Sequence, residues 1–539
     1  MTVAPAAPTA VAVTQPDGRI PFRLRIGVTG HRSGFDEAAV ADRIRHAVER
    51  IGQLVPSTDD TPVLLRVVSS LAEGADRLVA TAVLAHPGAD LEVVLPLPAL
   101  RYRDDFTSEA SKLEFDAFCA AAREVVQAPP AQSPEEAYEL AGRYVVGRCD
   151  VLVAVWNEKD AQGRGGTAEI VEYARKRKVP VLWVKPGRDE VVEERTDAIA
   201  AASLAEARAY NGAHVGERRL REAMVEEGGY LLPKEPESIV GSLPHAAVAD
   251  WVLPYFVRAD RLALRYQRWY LGLGLLLFSS AALAVMAAAG KALFWEPSDW
   301  PVKAEILLLS LLALIVVGGR QFHLHPRWIS NRFLAERFRS GFYLGLAALG
   351  DRREGGFGRA DPGDPAQDWA RRAFAEVWQT RPPIHLAPAD VEALRTVLVG
   401  GWLEGQIVFH ERRRKEFEFW HSASEACIWV LLGIAVLAAY LHLRGAGGDE
   451  WENRLSFVSV AVPAIGAAVT GAVAQREYRP HAKRYEAVVS QLKSIKARAE
   501  GAGSLEALQA LAGDTEQVML TENRDWFGLV IFHDFELHV

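Results

Sequence analysis

Glycines and small polar or basic residues gather in four short segments of the N-terminal third, each placed after an apolar run. The segments are TGHR (29–32), SSLAEGAD (69–76), LPALRYRDDF (97–106) and GRGGTAE (163–169). Glycine lets a ligand approach the backbone closely, and N–H groups at a helix start suit a phosphate. The candidate ligand-binding residues are Gly27, Thr29, Gly30, His31, Arg32, Ser69, Ser70, Glu73, Gly74, Asp76, Arg101, Arg103, Gly163, Gly165, Gly166, Thr167 and Glu169.

The elements that must position these residues follow one pattern. Residues 22–185 repeat a short apolar run, a loop and an amphipathic stretch, beginning with FRLRIGVTG. Asp36 is predicted to cap the first helix, with Val40, Ile44 and Val48 on its buried face. Near-continuous Val/Leu runs separated by helices are typical of a buried parallel sheet. The sequence therefore predicts an α/β, Rossmann-like domain over residues 21–190.

The carboxyl ends of parallel strands lie at one edge of a sheet, where ligands of such folds collect. Taken alone, GRGGT is equally well explained as a flexible strand–helix connection, and VTGHR as a plain turn with solvated His31 and Arg32. None is a Walker A loop or a GxGxxG fingerprint. Their predicted meeting at one edge favours a nucleotide-like ligand.

Three of these segments carry a family resemblance. RIGVTGHR, SSLAEGADR and GRGGTAEIVEYA resemble the SLOG superfamily, a Rossmann-like group with LOG phosphoribohydrolases, DprA-type proteins and nucleotide-sensing modules of bacterial defence systems. The resemblance implies that Thr167 and Gly166 lie at a phosphate and that Glu169 is a ribose-contacting or catalytic carboxylate. The LOG signature's opening proline and one residue between its glycines are absent, and no arginine matches the catalytic one. Sensing is therefore the main expectation, and a membrane-anchored nucleotide N-glycosidase using Glu169 is the alternative.

The remaining chain contains four stretches without charged side chains, at residues 269–290, 306–319, 426–443 and 455–475. About 20 apolar residues cross a bilayer as a helix. The second stretch gives only about 21 Å of helix, so a buried core helix is its alternative. The sequence predicts an all-α membrane domain with four transmembrane helices, at 269–290, 304–321, 424–443 and 455–475.

Basic residues indicate the orientation of these spans. Clusters precede the first and third spans and follow the second and fourth, whereas the two short intervening loops carry few. The positive-inside rule places both termini in the cytoplasm, and Trp295, Trp300 and Trp451 at the outer interface. We expect a multi-pass protein of a bacterial inner (plasma) membrane.

The membrane half contains a coarse duplication. ALRYQRWY, a hairpin and ISNRFLAERFRSGFYL are echoed by RRRKEFEFWH, a hairpin and HAKRYEAVVSQLKSIKARAE. This architecture resembles the SLATT domains, two-span modules that accompany SLOG partners and are predicted membrane effectors. Pro463, Gly466 and Gly471 in the fourth span are candidate pore residues, with ordinary tight helix packing as the alternative. A pore needs several copies around an axis, so a homo-oligomer is expected.

Length, charge and cysteine content limit the partners, cofactors and domain organisation that are expected. The chain has 539 residues and a net charge of −8, which disfavours a nucleic-acid partner. Three scattered cysteines, Cys119, Cys149 and Cys427, indicate no disulfide framework, and no metal or cofactor is expected beyond the nucleotide-derived ligand. The expected organisation is a disordered tail (1–20), the α/β domain (21–190), a connection (191–257), a first two-span unit (258–345), a cytoplasmic connector (346–410) and a second two-span unit (411–539).

These observations favour a membrane-bound sensor that binds a nucleotide-derived signal, related to NAD or ADP-ribose, and controls a pore-forming or membrane-disrupting domain in antiviral defence. Its expected partners are the lipid bilayer, the ligand, further copies of the chain and a separately encoded enzyme that makes the ligand. The second alternative is a structural membrane anchor whose Rossmann-like domain binds a protein.

Overall fold

The structure, a computed structural model, describes residues 17–158, 165–188, 190–232, 241–349, 365–446 and 448–530. The chain divides into two compact units, one over Arg19–Ala213 and the other over His214–Val539. Most of the expected N-terminal tail and Gly163 lie outside the described residues.

The first unit is built on a seven-stranded sheet with the order β4-β3-β2-β1-β5-β6-β7. The strands are β1 Phe22–Gly30, β2 Val63–Ser69, β3 Asp90–Leu95, β4 Glu124–Gln127, β5 Val151–Val155, β6 Val181–Val184 and β7 Val191–Glu194. The first six strands pair in parallel, which confirms the predicted Rossmann-like α/β class. β7 is antiparallel to β6 and lies just beyond the expected boundary at residue 190. A short connection allows this pairing, because antiparallel neighbours need no crossover helix.

Helices connect the strands and cover the sheet. They are α1 Glu37–Leu54, α2 Ala75–Leu84, α3 Ala99–Arg103, α4 Glu109–Ala121, α5 Pro134–Arg148, α6 Thr167–Lys176 and α7 Ala201–Gly212. Asp36 caps α1 as predicted, since its side chain accepts hydrogen bonds from Ala38 N and Ala39 N. Val40, Ile44 and Val48 are buried on the inner face of α1. The apolar runs of β3 and β5 are buried throughout, as a central parallel sheet requires.

The second unit is helical. Its helices are α8 Glu217–Leu231, α9 His245–Leu293, α10 Trp300–Gln321, α11 Leu324–Leu346, α12 Pro365–Trp378, α13 Val391–Thr396, α14 Glu404–Leu443, α15 Asp449–Arg476, α16 Tyr478–Glu500 and α17 Leu505–Val530, with a π-helical turn at Val397–Leu403 between α13 and α14.

Four of these helices, α9, α10, α14 and α15, are long and apolar enough to cross a membrane. This finding confirms the all-α membrane domain predicted from the uncharged stretches. The short second stretch lies inside α10, whose 22 residues give about 33 Å of helix. Only 17% of its apolar window is buried, which argues against a core helix.

Candidate functional site

The TGHR segment leaves the carboxyl end of β1 and is tied to two neighbouring elements. His31 N donates to Val155 O at the end of β5, and Ala75 N at the start of α2 donates to His31 O. The His31 ring accepts a hydrogen bond through Nε2 from Asn157 N at 3.2 Å. The imidazole therefore fixes the loop after β5, and its Nε2 serves as an acceptor.

Two glycines let the TGHR and SSLAEGAD segments lie against each other. A Cβ atom on Gly74 would lie 2.3 Å from Arg32 O, and the residue has a φ of +81°. A Cβ atom on Gly30 would lie 2.4 Å from the Cβ atom of Ala75. Glycine is needed at both positions because the backbones of the TGHR and SSLAEGAD segments approach each other too closely for a side chain. Gly27 lies deeper in β1 and packs against the Cys149 side chain, away from the sheet edge.

The SSLAEGAD segment is held by its own acidic side chains. Asp76 Oδ2 accepts from Ser69 Oγ at 3.0 Å and from Ala72 N at 3.3 Å. Burial raises the pKa of Asp76 to about 6, although these bonds and one from the Ser70 backbone oppose the shift. The segment is therefore folded around a buried carboxyl group.

Glu73 ties the same segment to the start of α4. Its Oε1 accepts from Thr107 N, Thr107 Oγ1 and Ser111 Oγ. Burial alone raises the pKa of Glu73, but the hydrogen bonds from Ser111 and Thr107 outweigh it and hold the pKa below its usual range. This carboxylate is a structural link between two loops.

Tyr138, in the second turn of α5, is contacted by three of the four segments, and the fourth, SSLAEGAD, lies against TGHR. The Arg32 guanidinium lies 5.4 Å from the centre of its ring, and its hydroxyl donates to Asp105. The Tyr102 and Tyr138 ring centres are 6.1 Å apart. A Cβ atom on Gly165 would lie 3.2 Å from Tyr138 Cβ. Burial and the bond to Asp105 raise the pKa of Tyr138, so its hydroxyl remains a donor.

Tyr138 is not among the candidate residues predicted from the sequence. A signal was available, since SPEEAY begins a helix directly after β4, with Ser133 as its side-chain cap. The first turns of such a helix lie at the same sheet edge as the four segments.

The two arginines of LPALRYRDDF are engaged locally. Arg101 pairs with Asp105 at 3.1 Å, and Arg103 pairs with Asp116 at 3.0 Å. Of the three predicted arginines, Arg32 is the one whose guanidinium lies over the Tyr138 ring. Its side chain is exposed.

The described part of GRGGTAE forms the turn into α6. Gly165 has a φ of +80°, and its N–H donates to Glu169 Oε2 at 2.8 Å. Arg143 Nη2 lies 3.5 Å from the other oxygen, Glu169 Oε1. Gly166 is the N-cap residue of α6, so no side chain caps this helix. Thr167 is the first helical residue. The Glu169 carboxylate closes the turn that precedes the helix.

This edge therefore combines the exposed Arg32 guanidinium, the half-buried Tyr138 ring and two helices, α2 and α6, that begin at glycine caps. Backbone N–H groups at helix starts and a guanidinium bind phosphate oxygens, and an aromatic ring can stack on a base. Among the described residues, no group of three or more His, Cys, Asp and Glu side chains could hold a metal ion.

The three candidate pore residues lie in different surroundings on α15. A Cβ atom on Gly471 would lie 2.5 Å from the Phe278 ring of α9, whereas one on Gly466 would have no atom within 4 Å. Pro463 is exposed inside the same helix. Gly471 therefore serves tight helix packing within one chain.

One comparison with known proteins concerns the second half of the chain. Residues 402–526 match the family model of the SMODS and SLOG-associating 2TM effector domain 1, abbreviated SLATT_1. The matched range holds α14, α15, α16 and most of α17. No curated protein matches the chain. The match and the four apolar helices support a membrane protein with a SLATT-type effector domain in its second half.

Proposed function

We propose that this chain is a membrane-bound sensor and effector of antiviral defence. Its α/β unit binds a nucleotide-derived ligand related to NAD or ADP-ribose. Binding controls the four-helix unit, which opens a pore or disrupts the bilayer. The observation that carries the proposal is the meeting of four sheet-edge segments around Arg32 and Tyr138, in one chain with a matched effector domain.

The side chains and backbone groups at this edge of the sheet suit an anionic ligand that also carries a flat ring. Arg32 offers a charged donor over an aromatic face, and the α6 start offers backbone N–H groups at the positive end of a helix. A phosphate at Gly166 and Thr167 and a base near the half-buried Tyr138 ring would use both features. The ligand then acts by binding one state of the protein more tightly than another.

Glu169 favours sensing over hydrolysis. A LOG-type hydrolase needs a carboxylate placed to stabilise the ribosyl cation as the base leaves. Here one oxygen accepts the Gly165 N–H, and the other faces Arg143. Because both of its oxygens are engaged in this way, the Glu169 carboxylate stabilises the turn before α6. We therefore expect no release of free base from nucleoside monophosphates. Steady release by the parent chain and its loss in Glu169→Gln would favour the hydrolase instead.

Gly166→Val tests the ligand site. The φ of Gly166 is −71°, which valine adopts, so the side chain would fill space above the helix start without forcing the backbone. We expect at least a tenfold loss of affinity for NAD or ADP-ribose in calorimetry on the full chain in nanodiscs. Membrane depolarisation by the same nucleotide in cells should be lost in parallel.

The matched control is Gly216→Val. Gly216 is also an N-cap residue with a negative φ, of −59°, and its Cβ position is open. This variant should bind like the parent. Equal affinity in Gly166→Val and Gly216→Val would remove the α6 start from the site.

We also propose that both termini are cytoplasmic, in a bacterial inner membrane. Reporter fusions after Arg327 and after Val539 should give cytoplasmic signals, and one within residues 296–300 should give an external signal. The basis is the excess of basic residues at one end of all four spans. An external signal at Val539 with a cytoplasmic one at Arg327 would contradict this topology.

A further inference from the structure

The two halves of the membrane unit repeat the same order of three helices and several residue motifs. The first repeat is α9, α10 and α11, and the second is α14, α15 and α16. Trp269 of α9 and Trp420 of α14 precede the motifs LAVMAAA (283–289) and IAVLAAY (434–440) by the same number of residues. Ala284 and Ala435, at the same position of these two motifs, are both buried. The sequences of the first helices of the two repeats can therefore be aligned residue by residue.

The connections that follow the second helix of each repeat, α10 and α15, are also equivalent. His323, between α10 and α11, has a φ of +47°, and Glu477, between α15 and α16, has a φ of +45°. A proline stands three residues later in both places, at Pro326 and Pro480. Non-glycine residues rarely adopt this conformation, so its recurrence marks equivalent positions. Near these connections, Val317 thus corresponds to Gly471 and Gln321 to Gln475.

One contact inside the chain joins the first helix of one repeat to the second helix of the other. Gly471 of α15 lies under the Phe278 ring of α9. One turn further, Gln475 Nε2 donates to Tyr270 O at 3.2 Å. Its side chain also lies against Gly274. We call this packing of α9 against α15 the template contact, because both of its helices have a counterpart in the other repeat.

The equivalent faces of α14 and α10 are exposed. On α14, the counterpart of Phe278 is Trp429, whose residue surface is 71% exposed. It lines an apolar groove of about 510 Å³ with Leu432, Gly433, Val436, Leu437 and Tyr440. On α10, the counterpart of Gly471 is Val317, which is 59% exposed, and Leu314 is 69% exposed. Gln321, the counterpart of Gln475, is exposed as well.

We propose that α14 of one copy packs against α10 of a second copy through the same faces and in the same register as α9 and α15 within the chain. The two helices lie further apart than α9 and α15, because Val317 and Trp429 are larger than Gly471 and Phe278. Trp429 would lie over Val317, with Gly433 as the floor of the groove that receives α10. Gln321 would approach Glu425, the counterpart of Gly274, where an amide can donate to a carboxylate. Helix association in a bilayer depends on such packing and polar contacts, since lipid tails are as apolar as leucine.

This contact sets the symmetry of the assembly. It uses two different surfaces, so each copy offers an α14 face to one neighbour and an α10 face to another. Such head-to-tail contacts generate a ring if the rotation closes. In that ring the two repeats alternate around one axis, with the template contact inside each chain and the α14–α10 contact between chains. The ring rests on the proposed function, in which copies of the membrane unit form a pore, and the α14–α10 contact is the interface on which that pore would be built.

Cysteine cross-linking of the full chain in membrane vesicles tests the interface without any nucleotide. Val317→Cys and Trp429→Cys are combined in a Cys427→Ser background and oxidised with copper phenanthroline. We expect a ladder of dimers, trimers and larger species on non-reducing gels. Each copy carries one thiol of each kind and uses them on different neighbours, so the products extend beyond the dimer.

The native cysteine supplies the matched control. Cys427 lies two residues before Trp429, which is about 200° around an α-helix, and is exposed on another face. Val317→Cys with native Cys427 and Trp429 should give at least tenfold less cross-linked product. Phe278→Cys with Gly471→Cys, again in Cys427→Ser, should close within one chain and confirm that the template contact forms.

Three outcomes would overturn the interface. These are no ladder although the Phe278–Gly471 pair closes, a product that stops at the dimer, or equal yields with Cys427 and with Trp429→Cys. A dimer alone would indicate a two-fold contact between identical faces. Since no nucleotide is present, a failure here leaves nucleotide sensing intact, and a failure of ligand binding leaves the ladder intact.

Discussion

Gly471→Leu is expected to destabilise the membrane unit by about 1–3 kcal/mol, the usual cost of forcing extra atoms into a packed site. A Cβ atom at this position already lies 2.5 Å from the Phe278 ring, and the leucine branches would add to that overlap. The helices α9 and α15 must then separate or the ring must turn. Thermal unfolding in nanodiscs measures the effect.

Gly466→Leu on the same helix is the matched control, because nothing lies within 4 Å of its Cβ position. It should change the stability by less than about 0.5 kcal/mol, as surface changes usually do. Phe278→Ala should restore part of the stability of Gly471→Leu, since the smaller side chain removes the overlap. Equal effects of the two leucine substitutions would contradict the packing role of Gly471.

Gly74→Ala is expected to have the largest effect in the α/β unit, roughly 3 kcal/mol of destabilisation. Two causes add up at this position. The backbone has a φ of +81° and a ψ of −119°, which only glycine adopts readily, and the new methyl group would lie 2.3 Å from Arg32 O. Either the start of α2 or the TGHR segment must move. Hydrogen exchange of the β1 and β2 amides in the full chain gives the local measurement.

Gly34→Ala is the matched control, because it separates the cost of a positive φ from the cost of steric overlap. Gly34 also has a positive φ, of +87°, but its Cβ position is open. This variant should lose only the cost of the left-handed conformation, about 1–2 kcal/mol. Matching losses in the two variants would mean that the close approach of Gly74 to Arg32 carries no weight. Ligand affinity should fall in Gly74→Ala alone, because Arg32 is displaced there.

The sequence by itself determined the α/β class of the first unit, its first strand and helix, and the apolar helices of the second unit. The run FRLRIGVTG, followed by Asp36 and apolar residues at helical spacing, predicted β1 and α1, and both are present. The uncharged stretches predicted four membrane helices, and four are long and apolar enough. These features follow from hydrophobic period, local capping and length, which are properties of neighbouring residues. The architectural resemblance to SLATT domains also agrees with the match at 402–526.

The tertiary structure alone decided what each candidate side chain does. Glycines 466 and 471 belong to one small-residue motif, yet only Gly471 has an aromatic ring against it, from a helix far away in the sequence. Glu169 is engaged by Gly165 and Arg143, and Tyr138 stands where three of the four segments meet. The Gly471–Phe278 and Glu169–Arg143 contacts join residues that lie far apart in the chain, so no local period contains them. The physical reason is that periodicity fixes which face of an element is apolar, whereas packing fixes which side chain meets that face.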